Sequence, residues 1–338
     1  MACRDNQLRL LLSIFLILLV LLALSMDLNL SDPFAIPKSP GVKDTLFDSI
    51  GSNRVRVASY NVCAFGAGFK ETVDTEQVTQ VYGKLQKDLK DLKADIVCLN
   101  EVKRINMRDL EGNERDDTLE SLAEDLDMEH FFAHANPGYE NFGNAILVNK
   151  KLQVIHCDST HLEGGSSVPT PKGDKHIGRG CLAVCVTALE KSFAVLATHL
   201  DHISEAERLR QAESILSHRQ RLSKGLPHLL VGDLNAMKRS DYSEEEWAAL
   251  EQRNLKNRWS PPEDSTALLA LEAAGYQDMH EKLSGDPSNR WTLPADPPAR
   301  IDYIFASHDF SRVGRVNEAF VAEAIGSDHL PTVLDILL

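Results

Sequence analysis

The chain has 338 residues, 43% hydrophobic and 25% charged, with a formal net charge of −14. This is enough apolar material for a normal buried core. An acidic total argues against broad, sequence-independent DNA binding, which draws its affinity from basic surfaces that neutralise phosphates.

The chain opens with an almost unbroken apolar run, Leu10 to Met26, preceded by Arg4 and Arg9 and interrupted by Ser13 and Ser25. Its length falls between a signal-peptide core and a full span of about 20 residues. Two readings stay open for residues 1–26. One is a retained signal anchor, an N-terminal hydrophobic helix that makes the membrane a partner. The other is a cleaved signal peptide with Ala23 and Ser25 near the cut. The preceding arginines favour a cytosolic N-terminus, which places the rest of the chain in a lumen or outside. Residues 27–53 hold Pro33, Pro37 and Pro40 and read as a linker. Six cysteines show no metal-type spacing, and free buried thiols are expected for Cys63, Cys98, Cys181 and Cys185.

The globular domain spans 54–338. Val55 to Tyr60 alternates as a strand does. Glu76 to Leu92 is predicted as an amphipathic helix, with Val78, Val81, Tyr82, Leu85, Leu89 and Leu92 on one face. Strands are expected at Ile96–Leu99, Ala145–Val148, Cys181–Thr187 and Phe193–Thr198. Ser204 to about Arg221 reads as a helix, opened by a capping box of Ser204 and Glu207. Leu229–Val231 reads as a buried strand, and Ser265–Ala274 as a helix stopped at Gly275. The last strands are Ile301–Ala306 and Thr332–Leu337. Glu163–Gly180 and Met237–Asp264 read as long irregular loops. Many strands with few helices, out of regular alternation, point to two packed sheets with helices outside.

The chemistry-bearing residues share one placement, at the ends of apolar strands. Asn61, Asn100-Glu101, Thr198-His199, Gly232-Asp233-Leu234-Asn235, Asp302 and Asp328-His329 all follow this rule. Converged on one edge, they form a rim of carboxylates, amides and imidazoles. Such hard oxygen donors suit Mg²⁺ or Mn²⁺, and zinc is less favoured because no close His/Cys cluster exists. Asp302 and His329 are natural partners for a proton-handling dyad.

Six stretches occur in order: Ser59-Tyr60-Asn61-Val62, Leu99-Asn100-Glu101-Val102, Thr198-His199-Leu200, Gly232-Asp233-Leu234-Asn235, Arg300-Ile301-Asp302-Tyr303-Ile304 and Ser327-Asp328-His329. Together they resemble the endonuclease/exonuclease/phosphatase superfamily related to deoxyribonuclease I. The resemblance covers roughly Arg54 to the C-terminus. It implies an α/β, four-layered α/β/β/α sandwich of two mixed sheets and a metal-dependent phosphoric ester hydrolase. It also implies site roles. Glu101 is the principal metal ligand, supported by Asn61 and Asp328. Asp233 aligns or deprotonates the attacking water, and Asn235 stabilises the transition state. Asp302 orients His329, and His199 contacts the scissile phosphate and protonates the leaving group. Which of Asp233 and His329 is the base stays open. Cys63 stands where abasic-site endonucleases carry an acid, which disfavours that branch. Asp201 and His202 read equally well as site-lining or as helix-capping residues. The expected substrate is a lipid headgroup or a small phosphoester. A secreted or lumenal nuclease is the runner-up, and a catalytically inactive binding module is the alternative of another class.

Overall fold

The computed structural model describes residues 53–67, 74–108, 113–135, 141–170, 173–257, 261–283 and 290–338. The apolar segment 1–26 and nearly all of the linker lie outside them. No helix among the described residues is long and apolar enough to cross a membrane.

Two six-stranded mixed sheets carry the fold. The first has β1 (Arg54–Asn61), β2 (Ile96–Lys103), β5 (Met128–His134), β6 (Phe142–Asn149), β15 (Arg315–Val321) and β16 (Thr332–Leu337), after the short hairpin β3 (Asn106–Arg108) and β4 (Glu114–Asp117) is set aside. Its strand order is β15-β16-β1-β2-β6-β5. The second sheet has β7 (Gln153–His161), β10 (Gly180–Ala188), β11 (Lys191–His199), β12 (His228–Asp233), β13 (Gln277–Asp278) and β14 (Asp302–Ala306), with β8 (Ser167–Thr170) and β9 (Gly173–His176) forming a separate hairpin. Its order is β13-β14-β12-β11-β10-β7.

Each sheet contains one parallel pair, β1 with β2 and β11 with β12. A parallel pair needs a crossover connection, and an 18-residue helix supplies it in both sheets: Thr75–Leu92 in the first and Glu205–Leu222 in the second. Val78, Tyr82, Leu85, Leu89 and Leu92 cover one face of the first sheet, packing with Ala58, Tyr60, Val97, Leu99, Ala145 and Leu147. Ala212, Ile215 and Leu222 cover the second sheet, joined by Ala267, Leu268 and Leu271 from the helix Thr266–Ala273. The alternate strand residues, Val57, Ile96, Cys98, Val195, Ala197, Leu229 and Val231, are fully buried between the sheets. The result is the expected α/β/β/α sandwich.

The predicted helices are found to within a residue or two, and all the predicted strands are present. Four differences have physical causes. Residues 237–264 are not an irregular loop throughout: Glu244–Asn257 is a helix, whose acidic first turn of Glu244, Glu245 and Glu246 suits its N-terminus. The stretch 163–180 holds the β8–β9 hairpin. Strands β5, β7 and β15 have half-exposed, charge-bearing alternations that leave little apolar signal. The capping box is half-formed. Ser204 Oγ accepts from Glu207 N–H at 3.4 Å, but the Glu207 carboxylate accepts from Gly165 N–H at 2.8 Å, and Asp201 Oδ1 takes the Ser204 N–H at 2.9 Å. The five described cysteines are free thiols; Cys98, Cys181 and Cys185 are buried as expected, Cys63 at the site is only half-buried, and Cys157 is exposed.

Candidate active site

Strand parity decides which side chains reach the gap between the sheets. On β1, Ala58 and Tyr60 face the helix layer, so Asn61 shares the inward face with Val57. On β11 and β12, Ala194, Leu196 and Leu230 face the helices, so His199 and Asp233 point inward. Strand register then puts three of them in one row: His199 pairs with Asp233 across β11–β12, and Asp233 with Asp302 across β12–β14. Glu101 breaks the parity of β2. The register with β6 shifts between Leu99 and Val102, and Glu101 takes a positive φ of 54°. A bulge of this kind re-aims a side chain, here placing Glu101 beside Asn61.

Gly232 makes the row possible. Its φ is 142°, and a Cβ there would lie 1.9 Å from the Thr198 carbonyl oxygen. Asn100 locks the sheets together beneath the site. Its amide donates to Asn144 Oδ1 and to the Thr198 carbonyl, both at 2.9 Å, and its oxygen accepts the Asp233 N–H at 2.9 Å. Asn144 in turn donates to the Gly180 carbonyl at 3.0 Å.

The eight residues expected from the sequence converge. Asn61 Nδ2 donates to Asp233 Oδ2 at 3.0 Å and lies 3.4 Å from Glu101 Oε1. His329 Nδ1 lies 2.8 Å from Asp302 Oδ2, and its Nε2 is 3.8 Å from Asp233. His199 Nε2 lies 3.6 Å from Asp233 and 4.0 Å from Glu101, with Asn235 Nδ2 at 2.9 Å. Asn61, His199, Asp233, Asp302 and His329 are buried, Glu101 and Asn235 are half-buried, and Asp328 is exposed at the rim, close enough to His329, Glu101 and Cys63 to influence their charge. Asp302 is held in turn: Thr292 Oγ1 accepts the N–H groups of Ile301 and Asp302, each at 3.1 Å. Buried Arg300 pairs with Asp278 and Asp241 and lies over the Tyr303 ring.

The site is electrostatically divided. Burial disfavours the His329 cation, but Asp302, followed by Asp233 and Asp328, outweighs it and pushes His329 up to about 10. Burial, then the charge of Asp302, raises Asp233 to about 7. Burial also raises Glu101. His199 is held well below its ordinary value by burial and then by Arg179. Separated proton affinities of this kind are common at catalytic sites.

One residue had no signal in the sequence. Arg179, in the stretch read as an irregular loop, is buried beside His199 and His202, with its Nη1 and Nη2 each 3.1 Å from a ring Nδ1. Asp201, by contrast, is a structural residue: its carboxylate accepts from the N–H and hydroxyl of Ser166 and from the N–H groups of Ile203 and Ser204.

The model of the endonuclease/exonuclease/phosphatase family matches residues 58–329, the stretch that contains every one of these side chains. The chain belongs to that family. Its members hydrolyse phosphoester bonds. Solved structures with the same fold include a mannosyl-6-phosphatase from Bacteroides thetaiotaomicron, 20% identical over 84% of this chain and all of that one, with a TM-score of 0.57. The catalytic domain of human nocturnin with bound sulfate is 18% identical over 84% of this chain and 93% of its own, with a TM-score of 0.55. A truncated TDP2 from Caenorhabditis elegans is 17% identical over 84% of this chain and 98% of its own, with a TM-score of 0.54. No curated protein sequence matches the chain.

Among the described residues, the tight group able to offer metal ligands is Asp233, Asp302 and His329, whose ligand atoms lie within 4.8 Å of one another. A histidine that binds a metal must be neutral. His329 Nδ1 is already taken up by Asp302 Oδ2 at 2.8 Å, an arrangement that suits this group to handling protons. Asn61, Glu101 and Asp328 carry oxygen donors of the kind a hard divalent ion takes, although the Asn61 oxygen also accepts the Cys63 N–H at 3.0 Å and the Asn61 nitrogen is the atom that faces Glu101.

Proposed function

We propose that the domain 54–338 is a divalent-metal-dependent phosphoester hydrolase in which water attacks phosphorus. The observation that carries this reading is the Asp302–His329 pair at 2.8 Å, set against Asp233 with Asn61 and Glu101 on its other side. Asp233 and Glu101, both raised by burial, and His329, raised by its carboxylate neighbours, stand together with the Asn61 and Asn235 amides beside them. That arrangement serves in-line displacement at an anion better than nucleophilic catalysis by a side chain, for which no activated serine or cysteine is present among the described residues of the site.

In this mechanism Asp233, raised toward neutrality, accepts the proton of the attacking water as the new O–P bond forms and the P–O bond to the leaving group breaks, the leaving oxygen departing as an anion that takes its proton from solvent. His329, kept cationic by Asp302, donates to a phosphoryl oxygen. Asn235 and His199 donate to the oxygens that gain charge in the transition state. Glu101, Asn61 and Asp328 would hold Mg²⁺ or Mn²⁺. Such an ion supplies charge neutralisation at the phosphoryl group.

The net charge of −14 favours a lipid headgroup or a small phosphoester over chromosomal DNA, with a secreted or lumenal nuclease as the second reading. Residues 1–26 are proposed to insert in the membrane or to serve as a cleaved signal, 27–53 to act as the linker, and the catalytic domain to face a lumen or the exterior.

The test is hydrolysis of bis-p-nitrophenyl phosphate with Mg²⁺ or Mn²⁺, with chelator, and by the Asp233→Ala/His329→Ala variant. Release that needs the ion and vanishes in the variant supports the reading. Folded protein that binds the ion yet hydrolyses no phosphomonoester or phosphodiester would favour the inactive binding module.

A further inference from the structure

Two histidines of one turn share a single buried cation. Arg179 is 5% exposed, its Nη1 lies 3.1 Å from His199 Nδ1, and its Nη2 lies 3.1 Å from His202 Nδ1. Among the described residues it has no ion-pair partner, and its Nε has no hydrogen-bond partner. A guanidinium stays charged in a protein and only donates. An imidazole nitrogen facing it must therefore carry a lone pair. That condition rules out the imidazolium, which has a proton on both nitrogens, and it assigns the single proton of each neutral ring to Nε2.

The other side of the His199 ring points into the site. Its Nε2 meets Asn235 Nδ2 at 2.9 Å, with Asp233 at 3.6 Å and Glu101 at 4.0 Å. The ring is thus flanked by two donors, and Asn235 Nδ2 also donates to the Leu200 carbonyl at 3.2 Å, but an amide can turn over where a guanidinium cannot, so Arg179 decides the tautomer. With the ring proton on Nε2, two N–H groups converge on one place. An oxygen atom seated between them accepts from both and relieves their opposition.

We propose that Arg179 is a positioning residue that fixes His199 as a neutral imidazole with its proton on Nε2, so that His199 acts as a preset hydrogen-bond donor to a phosphoryl oxygen and not as a proton shuttle. The identity of the acceptor rests on the phosphoester reading above; the tautomer does not. A neutral imidazole surrenders its remaining proton only far above neutral pH. This replaces the role the family resemblance implied for His199, protonation of the leaving group, whose oxygen instead departs as an anion and takes its proton from solvent. The same logic makes a neutral histidine an electrophile when a positive field faces its other nitrogen.

The test is nitrogen-15 NMR of the full-length chain labelled at its 12 histidines, with His199 assigned through His199→Gln. Wild-type protein is expected to show a protonated Nε2 and an unprotonated Nδ1 for His199. A proton on His199 Nδ1 would overturn the proposal outright, whatever any variant does. Arg179→Met removes the donor, and the ring should then populate the Nδ1–H tautomer or the cation. Arg179→Lys, which retains a donor for one ring, serves if the methionine variant fails to fold. An unchanged tautomer in a folded Arg179→Met protein would also overturn the proposal. Turnover of bis-p-nitrophenyl phosphate by Arg179→Met should fall about a hundredfold, mainly in kcat, from misalignment of the donor. If the wild type shows the assigned tautomer but no hydrolysis of any phosphoester, the functional reading fails while the positioning role stands.

Discussion

Replacing Asp302 with asparagine keeps the shape of the dyad and removes its charge. In the native protein Asp302 Oδ2 lies 2.8 Å from His329 Nδ1, with the aspartate side chain 1% exposed and the histidine 9%. The rise of His329 from 6.5 to about 10 is a difference of about 3.5. At 1.36 kcal/mol for each pH unit this is roughly 5 kcal/mol in favour of the cation. Asp233 and Asp328 supply part of it, so a loss of about 2–4 kcal/mol is expected for Asp302→Asn, in the range for breaking a buried pair. The sign follows from linkage. A histidine whose folded pKa is raised contributes stability that is fully present below its unfolded value near 6.5 and is lost as pH rises through about 10. The gap between wild type and Asp302→Asn, measured by urea unfolding, should therefore be largest near pH 6 and close as the pH nears 10. Turnover of bis-p-nitrophenyl phosphate should fall by about 10³–10⁴, as when a buried aspartate that orients a catalytic histidine is neutralised. A stability gap that stays constant from pH 6 to pH 10, or a wild-type His329 that titrates near 6.5 by NMR, would refute the reasoning.

Three further outcomes are expected. Gly232→Ala forces a Cβ to within 1.9 Å of the Thr198 carbonyl oxygen at a φ of 142°, so the parallel pair β11–β12 must separate; a cost above about 3 kcal/mol and loss of turnover are expected, and a melting temperature equal to wild type would contradict the register. Asn100→Ala leaves the Thr198 carbonyl, Asn144 and the Asp233 N–H without their partner, at a cost of about 3 kcal/mol by urea unfolding; a change below about 0.5 kcal/mol would show that the sheets do not depend on this bridge. In native protein at pH 8, iodoacetamide followed by peptide mapping should label exposed Cys157 well before Cys63, whose thiol is pushed up to about 12 by burial and then by Asp328 and Glu101; rapid labelling of Cys63 would argue against its placement beside those carboxylates.

Much of the fold was legible because apolar periodicity survives wherever a strand or helix is covered on a face. Arg54–Asn61 and Thr75–Leu92 show this directly: their alternation and their apolar stripe are the same residues that pack in the core. Strands β5, β7 and β15 were not legible, because an edge or half-covered strand has little need for apolar residues. The helix Glu244–Asn257 was hidden for a related reason: its sequence is dominated by charge, and only a thin apolar side meets the protein.

For the site, the residue types and their placement at strand ends were readable without coordinates, since a carboxylate or imidazole closing an apolar strand stands out against its surroundings. Sequence also implied the Asp302–His329 pair, 27 residues apart. It did not imply Arg179, which sits in a Gly-rich stretch where a lone arginine reads as a surface charge. Burial of that guanidinium depends on β10 and β11 lying side by side, which brings Arg179, just before β10, to His199 at the end of β11, 20 residues on. Nor did it imply the positive φ at Glu101 that turns the carboxylate into the gap. Local pattern determines which face of each element is apolar, because that choice is made within a few residues. Which polar groups meet, and what charge each then carries, is decided only when two sheets close over them, because desolvation and pairing act across space and leave no trace in sequence spacing.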